Sequence, residues 1–370
     1  MFFVAYLGFT AAVIWAIDYL FFGKGREKKL PEIPSMKLPD IMLSKKDIYE
    51  RMKNMSGNHI VWRHQLDDID KDITEPLATK TVMNRNEMMK CYGCGKITRR
   101  NHPVYVFSCR SCGSLFQKHR HFSSTQNDKV ILITNIRQGL GHHVALKLLR
   151  AGATVIGTSR SPQLVRDNFI RYVDYEGWKD KLVIYEKPID FSQALSCNEF
   201  VEEIQNKFGC LDAFIHIGCS NSSDLEKSFE EITHQDLEKE YRMSASNVAV
   251  LSQSVIPLLQ KSKGIPYFIN VHARAGLMMT SKDERHIHVN MAKAALAMLT
   301  KSLCALRVKT MNDIPLRIHG IDPGWYSQKD HPFGVPPLDV VDAAARVCFP
   351  LFNHLKTNQK TQRHFIQYKY

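Results

Sequence analysis

Four cysteines are the residues most plainly spaced for chemistry. Cys91-Tyr-Gly-Cys94-Gly95 and Cys109-Arg-Ser-Cys112-Gly113 are matching C-x-x-C knuckles, with fourteen residues between Cys94 and Cys109, enough for a short hairpin. Thiolates at that spacing suit a tetrahedral four-cysteine zinc site, in which the glycine after each second cysteine lets the backbone turn its amides toward sulfur. Four protein ligands leave the metal no open position, so the expected zinc is structural. Val104, Tyr105, Val106 and Phe107 are expected to form the second strand of a zinc ribbon, a unit too small to hold a core without its metal. Redox-active dithiols are the competing reading. The basic run Lys118, His119, Arg120 and His121 reads as a solvated linker, with RNA or phosphate contact as the sharper alternative.

A second chemical pattern follows at Thr134-Asn-Ile-Arg-Gln-Gly139-Leu-Gly141. This glycine-bearing turn lies between an apolar strand, Lys129 to Thr134, and a helix expected from near His142, a place where backbone amides can meet phosphate. Further strands are expected at Thr154 to Gly157, Leu182 to Tyr185, Leu211 to Ile217, Tyr267 to Val271, Leu316 to Ile321 and Phe365 to Tyr368, with helical patterns between them. Strand alternating with helix predicts an α/β fold with a doubly wound parallel sheet.

Ahead of these units, Phe2 to Phe22 is nearly unbroken apolar sequence, closed by Lys24, Arg26, Lys28 and Lys29. That length spans a bilayer as a helix, and the charges follow the span instead of preceding it, so a retained single-pass anchor is expected, with the bulk of the chain on the cytosolic or mitochondrial-matrix side. Trp15 and Tyr19 suit an interfacial belt, and Asp18 reads as a residue at the water boundary. Residues 24–86 are polar and proline-bearing, a linker that lies in solvent or along a partner. The expected organisation is an anchor at 1–23, a linker at 24–86, a cysteine ribbon at 87–123 and a sheet domain at 127–370. With 50 Lys+Arg against 37 Asp+Glu the formal charge is +13, which suits an anionic lipid surface, an acidic subunit, a phosphate-bearing cofactor or nucleic acid, and equally a solvated basic surface. Cys197, Cys210, Cys219, Cys304 and Cys348 are scattered through apparent helices and strands, as in a reducing compartment.

From about residue 127 onward the chain resembles the short-chain dehydrogenase/reductase (SDR) family. The turn at Thr134 to Gly141 is similar to the family's T-G-x-x-x-G-x-G, with Asn135, a residue tolerant of left-handed backbone, in place of the first glycine. The resemblance implies dinucleotide contacts from Thr134, Asn135, Arg137, Gly139, Gly141, Arg160, Asp190, Lys293, Pro323 and Gly324. Arg160 stands where NADP-preferring members keep a basic residue for the 2'-phosphate, so NADP(H) is the implied cofactor.

The same resemblance exposes losses. Lys293 matches the catalytic lysine, but Val289 stands at the tyrosine position, Ala273 at the serine position, and Ser244, with Asn247 one turn away, at the asparagine position. The family's Asn-Asn-Ala-Gly reads His216-Ile-Gly-Cys219, and the threonine after Pro323-Gly324 is Gln328. His286 and His288 are read as surface histidines, with His288 about 100° around the helix from Val289. A valine offers no proton, and losing a positioned acid and a carbonyl-polarising donor each costs ~10²-fold or more in rate. The expectation is a membrane-anchored, NADP-binding pseudoenzyme serving protein subunits of a membrane complex, with the mitochondrial inner membrane suggested by SDR-type accessory subunits of respiratory complexes. An active NADP-dependent reductase on a lipid-like carbonyl is the competing class, and a nucleic-acid-binding ribbon protein the third.

Overall fold

A computed structural model describes residues 88–187, 189, 194–218, 227–278, 280, 282, 285–326 and 336–353. All of them belong to one unit, Tyr49–Tyr370. The expected anchor and linker, Asp190, Cys219, Gln328 and the strand at Phe365 to Tyr368 lie outside the described residues. Among the described residues no helix is long and apolar enough to cross a membrane.

Six strands form the central sheet: β3 (Val130–Ile133), β4 (Thr154–Gly157), β5 (Leu182–Ile184), β6 (Ala213–His216), β7 (Tyr267–Val271) and β8 (Arg317–Ile321). All neighbours pair in parallel, in the order β5-β4-β3-β6-β7-β8. Parallel strands must be joined by crossovers and are covered on both faces, which is why β6 and β7 are buried along their whole length and apolar except for His216 and Asn270. The chain lays β4 and β5 to one side of β3, then returns to place β6 to β8 on the other. That reversal opens a crevice between the carboxyl ends of β3 and β6, where Thr134 N donates to Ile215 O at 3.1 Å.

Two helical layers cover the sheet. On one face α2 (Gly139–Arg150) packs against α8 (Val340–Phe352), with Val144, Leu148, Val347 and Leu351 in the shared core. On the other face lie α4 (Ala194–Phe208), α6 (Asn247–Leu259) and α7 (Ile287–Ala305), which bury Phe200, Val255 and Leu296 against Phe214 and Phe268. α5 (His234–Tyr241) leads into α6 through a π-helical segment, Arg242–Ser246. Thr233 and Asp236 close a capping box at the start of α5. α3 (Pro162–Phe169) follows β4, with proline in its first turn.

The cysteine unit departs from the expected ribbon. Strands β1 (Met89–Lys90) and β2 (Ile97–Thr98) pair as a short hairpin under the first knuckle. Val104 to Phe107 do not form a strand; Val104 N and Tyr105 N both donate to His102 Nδ1 at 3.2 Å and fold the segment into a turn. Tyr105 is thereby swung inward, where its hydroxyl donates to Asp342 at 2.7 Å. Cys109 caps a helix, α1 (Arg110–His121), that contains Cys112 and Gly113. The two glycines therefore differ: Gly95 turns the backbone at φ +73, whereas Gly113 is helical and leaves room for the His102 ring, which a Cβ would approach to 2.2 Å.

The basic run is also corrected. It forms the last turn of α1, and Arg120 is paired with Asp339 at 2.7 Å and Asp342 at 3.0 Å, with Lys147 Nζ donating to the Arg120 carbonyl at 2.9 Å. His119 meets Phe349 edge-on at 4.9 Å. Half of the supposed linker is an intramolecular contact with α8.

Candidate dinucleotide site and lysine centre

The glycine turn forms as its residues require. Asn135 takes φ +60, the left-handed conformation that asparagine accepts better than other side-chain-bearing residues, and Gly139 takes φ +67. A Cβ on Gly141 would lie 2.1 Å from the Asn135 carbonyl oxygen, so only glycine lets α2 start this close under the turn. α2 begins at Gly139, three residues before the expected start, and no side chain caps it. α2 thus starts just past the carboxyl end of β3, beside the crevice, with its positive dipole end uncapped by any side chain. Arg160 is exposed just past β4; Arg137 is half-buried, and its carbonyl accepts from Asn168 Nδ2 at 2.9 Å. His142 and His143 on α2 are buried and neutral, held by burial at about 3 and about 4.

Beside this turn, the strand ends carry a row of polar side chains on the α6–α7 face. Thr134 Oγ1 accepts from Ile217 N at 2.8 Å and bonds His216 Nδ1 at 3.3 Å. His216 pairs in register with Asn270 on β7, two residues before His272. Thr300 on α7 gives its hydroxyl proton to Leu296 O at 2.8 Å and accepts from Asn270 Nδ2 at 2.9 Å and His272 Nε2 at 3.0 Å. That network puts the His272 ring proton on Nε2.

Lys293 lies two helical turns before Thr300 on the same face of α7 and is buried. Its Nζ donates to Gly218 O at 3.4 Å. A Cβ on Gly218 would meet His216 Nε2 at 3.2 Å, Lys293 Nζ at 3.4 Å and Met243 O at 3.4 Å, so imidazole, ammonium and a carbonyl of the π segment crowd one point. Burial first, then the Lys293 charge and His272, hold His216 down at about 3. Burial and Lys293 hold His272 at about 3 as well. Both rings are therefore neutral near pH 7: they offer N–H donors and lone pairs but no imidazolium proton.

The other positions implied by resemblance fall around this centre. Val289 is buried one helical turn before Lys293, and Ala273 follows His272 at the end of β7. Ser244 lies inside the π segment and donates to buried Glu240 at 2.8 Å. Asn247 sits at the start of α6, with Oδ1 buried and unpaired among the described residues. Pro323 and Gly324 form the turn after β8. His288 is buried, which corrects the surface reading, and His286 caps α7 with φ +63. No site role was assigned to His216 or His272 from sequence. The signal available was a histidine at the carboxyl end of each of two strands expected on the same sheet.

The cysteines converge. All four sulfurs lie within 4.8 Å of one another, Cys94 and Cys109 at 4.0 Å, and Cys109 N donates to Cys91 Sγ at 3.2 Å. Burial acts to raise the Cys91 thiol, but amide donors from Cys109 and Cys94 and the adjoining thiols bring it down to about 6. The sheet order, the glycine turn and the buried lysine together define a recognisable scaffold, and a family model described as enoyl-(acyl carrier protein) reductase, of short-chain dehydrogenase/reductase type, matches residues 135–330. The chain belongs to the SDR family. An uncharacterized protein of Acanthamoeba polyphaga mimivirus is 29% identical over 78% of this chain and 76% of its own length. An Arabidopsis thaliana protein named 11-beta-hydroxysteroid dehydrogenase-like 2 is 28% identical over 59% of this chain and 65% of its own. Among solved structures, the carbonyl reductase Sniffer of D. melanogaster matches at TM-score 0.54, 20% identity, 66% of this chain and 98% of that one. A Shigella flexneri short chain dehydrogenase complexed with NADP matches at TM-score 0.52, 18% identity, 65% of this chain and 96% of that one. The two solved structures share this chain's fold.

Proposed function

We propose that this chain is an NADP(H)-binding SDR scaffold that does not run the family's proton-coupled hydride transfer, and that it serves as an accessory subunit held at a membrane by residues 1–23. One observation carries the reading: Val289, buried and apolar, occupies the helical turn before Lys293 where the family keeps its proton donor. The glycine turn, the open amides of α2 and exposed Arg160 support NADP(H), which supplies hydride chemistry when bound. Lys293 can hold a ribose hydroxyl without any turnover. Structural zinc is assigned to Cys91, Cys94, Cys109 and Cys112, because thiolates ~2.3 Å from one ion stand about 3.8 Å apart, close to the Cys94–Cys109 separation of 4.0 Å. The mitochondrial inner membrane is proposed by analogy with SDR-fold subunits of respiratory assemblies.

The test is NADPH oxidation by the purified full chain over a panel of carbonyl compounds. The expected outcome is none by the natural protein and measurable oxidation by the Val289→Tyr, Ala273→Ser double variant. Turnover by the natural protein at the variant's rate overturns the reading.

A second reading, an active NADP-dependent reductase, is favoured by His216. Its Nε2 is buried, without a hydrogen-bond partner among the described residues, beside Lys293. A Thr134 hydroxyl directed at Nδ1 leaves the ring proton on Nε2, and a neutral imidazole N–H can polarise a carbonyl. The plant relative's name favours a sterol-like substrate for this reading. It requires turnover that His216→Ala abolishes.

A further inference from the structure

The first cysteine knuckle reaches into the sheet domain. Tyr92, between Cys91 and Gly93, has its hydroxyl 2.8 Å from the Trp325 amide, which donates to it across 233 residues of sequence. The turn it grips, Asp322 to Trp325, leaves β8 next to the end of β7, where His272 N donates to Ile321 O at 2.7 Å. It therefore lies at the same carboxyl end of the sheet as the crevice, one strand beyond β7, and Arg274, the neighbour of Ala273, is close enough to act electrostatically on both Tyr92 and Asp322.

The grip is tight on both sides. Gly324 takes φ +87, and a Cβ there would meet Arg346 Nη1 at 2.7 Å, Leu338 Cδ1 at 2.8 Å and Tyr92 Oη at 2.8 Å. Asp322 Oδ1 accepts from Gly324 N at 2.9 Å and shapes the same bend from within. On the knuckle side, a Cβ on Gly93 would lie 2.8 Å from Cys112 Cβ and 2.9 Å from Cys112 Sγ, and Tyr92 N donates to Phe107 O at 2.8 Å. Tyr92 also meets Phe116 edge-on at 6.5 Å, and the Arg346 guanidinium lies over the Phe116 ring at 4.9 Å. Tyr92 follows Cys91 directly in the chain, so the position of its backbone is tied to that of the first knuckle's sulfurs.

We propose that Tyr92 is a positioning residue for the Asp322–Trp325 turn, so that metal occupancy of the four cysteines sets the affinity of the crevice for NADP(H). This rests on the dinucleotide-binding reading above. It makes the metal unit part of the cofactor site's construction, although no sulfur touches that site.

The experiment compares full-length protein with zinc bound, the same protein stripped of zinc by a chelator under reducing conditions, and zinc-bound Tyr92→Phe. Hydrogen–deuterium exchange is read on the peptide spanning Asp322 to Tyr326, and NADPH affinity is measured by nucleotide fluorescence. In Tyr92→Phe, which retains its zinc, exchange is expected to accelerate by about fivefold, the size of one net hydrogen bond, and NADPH binding to weaken by a similar factor. Stripping zinc is expected to do at least as much. Unchanged exchange in Tyr92→Phe overturns the positioning role; faster exchange with unaltered NADPH affinity overturns the coupling. Natural, zinc-bound protein that binds no NADPH overturns the cofactor reading instead, and the exchange measurement, which needs no nucleotide, tells the two failures apart.

Discussion

Asn135 shows how one residue can substitute for a backbone property. At φ +60 it keeps a turn that the family builds on glycine, and its carbonyl is the atom against which Gly141 packs. Asn135→Ala should destabilise the chain by ~1 kcal/mol, the cost of a left-handed residue without asparagine's tolerance, while Asn135→Gly should be near neutral; denaturant unfolding of the pair measures this. Equal loss in both variants would point to a side-chain contact instead. The turn was legible because its conformation depends on residues adjacent in sequence. His216 and His272 were not, because their meaning comes from Thr134, Thr300 and Lys293, which the fold gathers from β3 and α7.

Among the elements, those fixed by local pattern were read best. Thr154–Gly157 and Tyr267–Val271 match expectation residue for residue, since a strand buried on both faces is a mostly apolar run, interrupted here only by Thr154 and Asn270. Val104 to Phe107 have the same pattern and form a turn, because Tyr105 finds Asp342 and Phe116 instead of a strand partner. The α1–α8 contact is the long-range fact behind this. Burial and the Asp339 charge push the Asp342 carboxyl up to about 6, while Arg120, against the opposing effect of burial, holds Asp339 below the usual carboxylate range. Removing the guanidinium strands buried Asp342 beside half-buried Asp339, so Arg120→Ala should cost ~3 kcal/mol in an unfolding titration, whereas Asp339→Asn should cost less by keeping the cap on α8. A loss below about 1 kcal/mol for Arg120→Ala would mean the contact is solvated.

For the whole molecule, buried histidines should dominate the response to acid. His142, His216 and His272 sit at about 3 and His143 and His319 at about 4, against 6.5 in an unfolded chain. Because the folded values are depressed, the unfolded chain binds more protons in the interval between. Their contribution to stability is complete above pH 6.5 and is lost as pH falls from there toward 3 to 4. The urea midpoint should be level above pH 7 and drop steeply between 6.5 and 4, ahead of most carboxylate titration. A level midpoint across that interval would show that these rings are not buried neutral.

The π segment has a consequence for engineering. Five residues, Arg242–Ser246, insert a surplus residue into what would otherwise be one continuous rod from α5 to α6. Excising one of them would return the stretch to α geometry, because the wider i→i+5 turn covers with one residue more about the same rotation as an α turn, so α5 and α6 keep their phase. α6 stays anchored by Val248, Leu251 and Val255 and α5 by Lys227–Asp236, while the Met243 carbonyl, which now lies beside Gly218 and Lys293, is drawn back into the helical ladder. The bulge thus lends the crevice a backbone oxygen, and a one-residue deletion there should remove that oxygen without touching a strand.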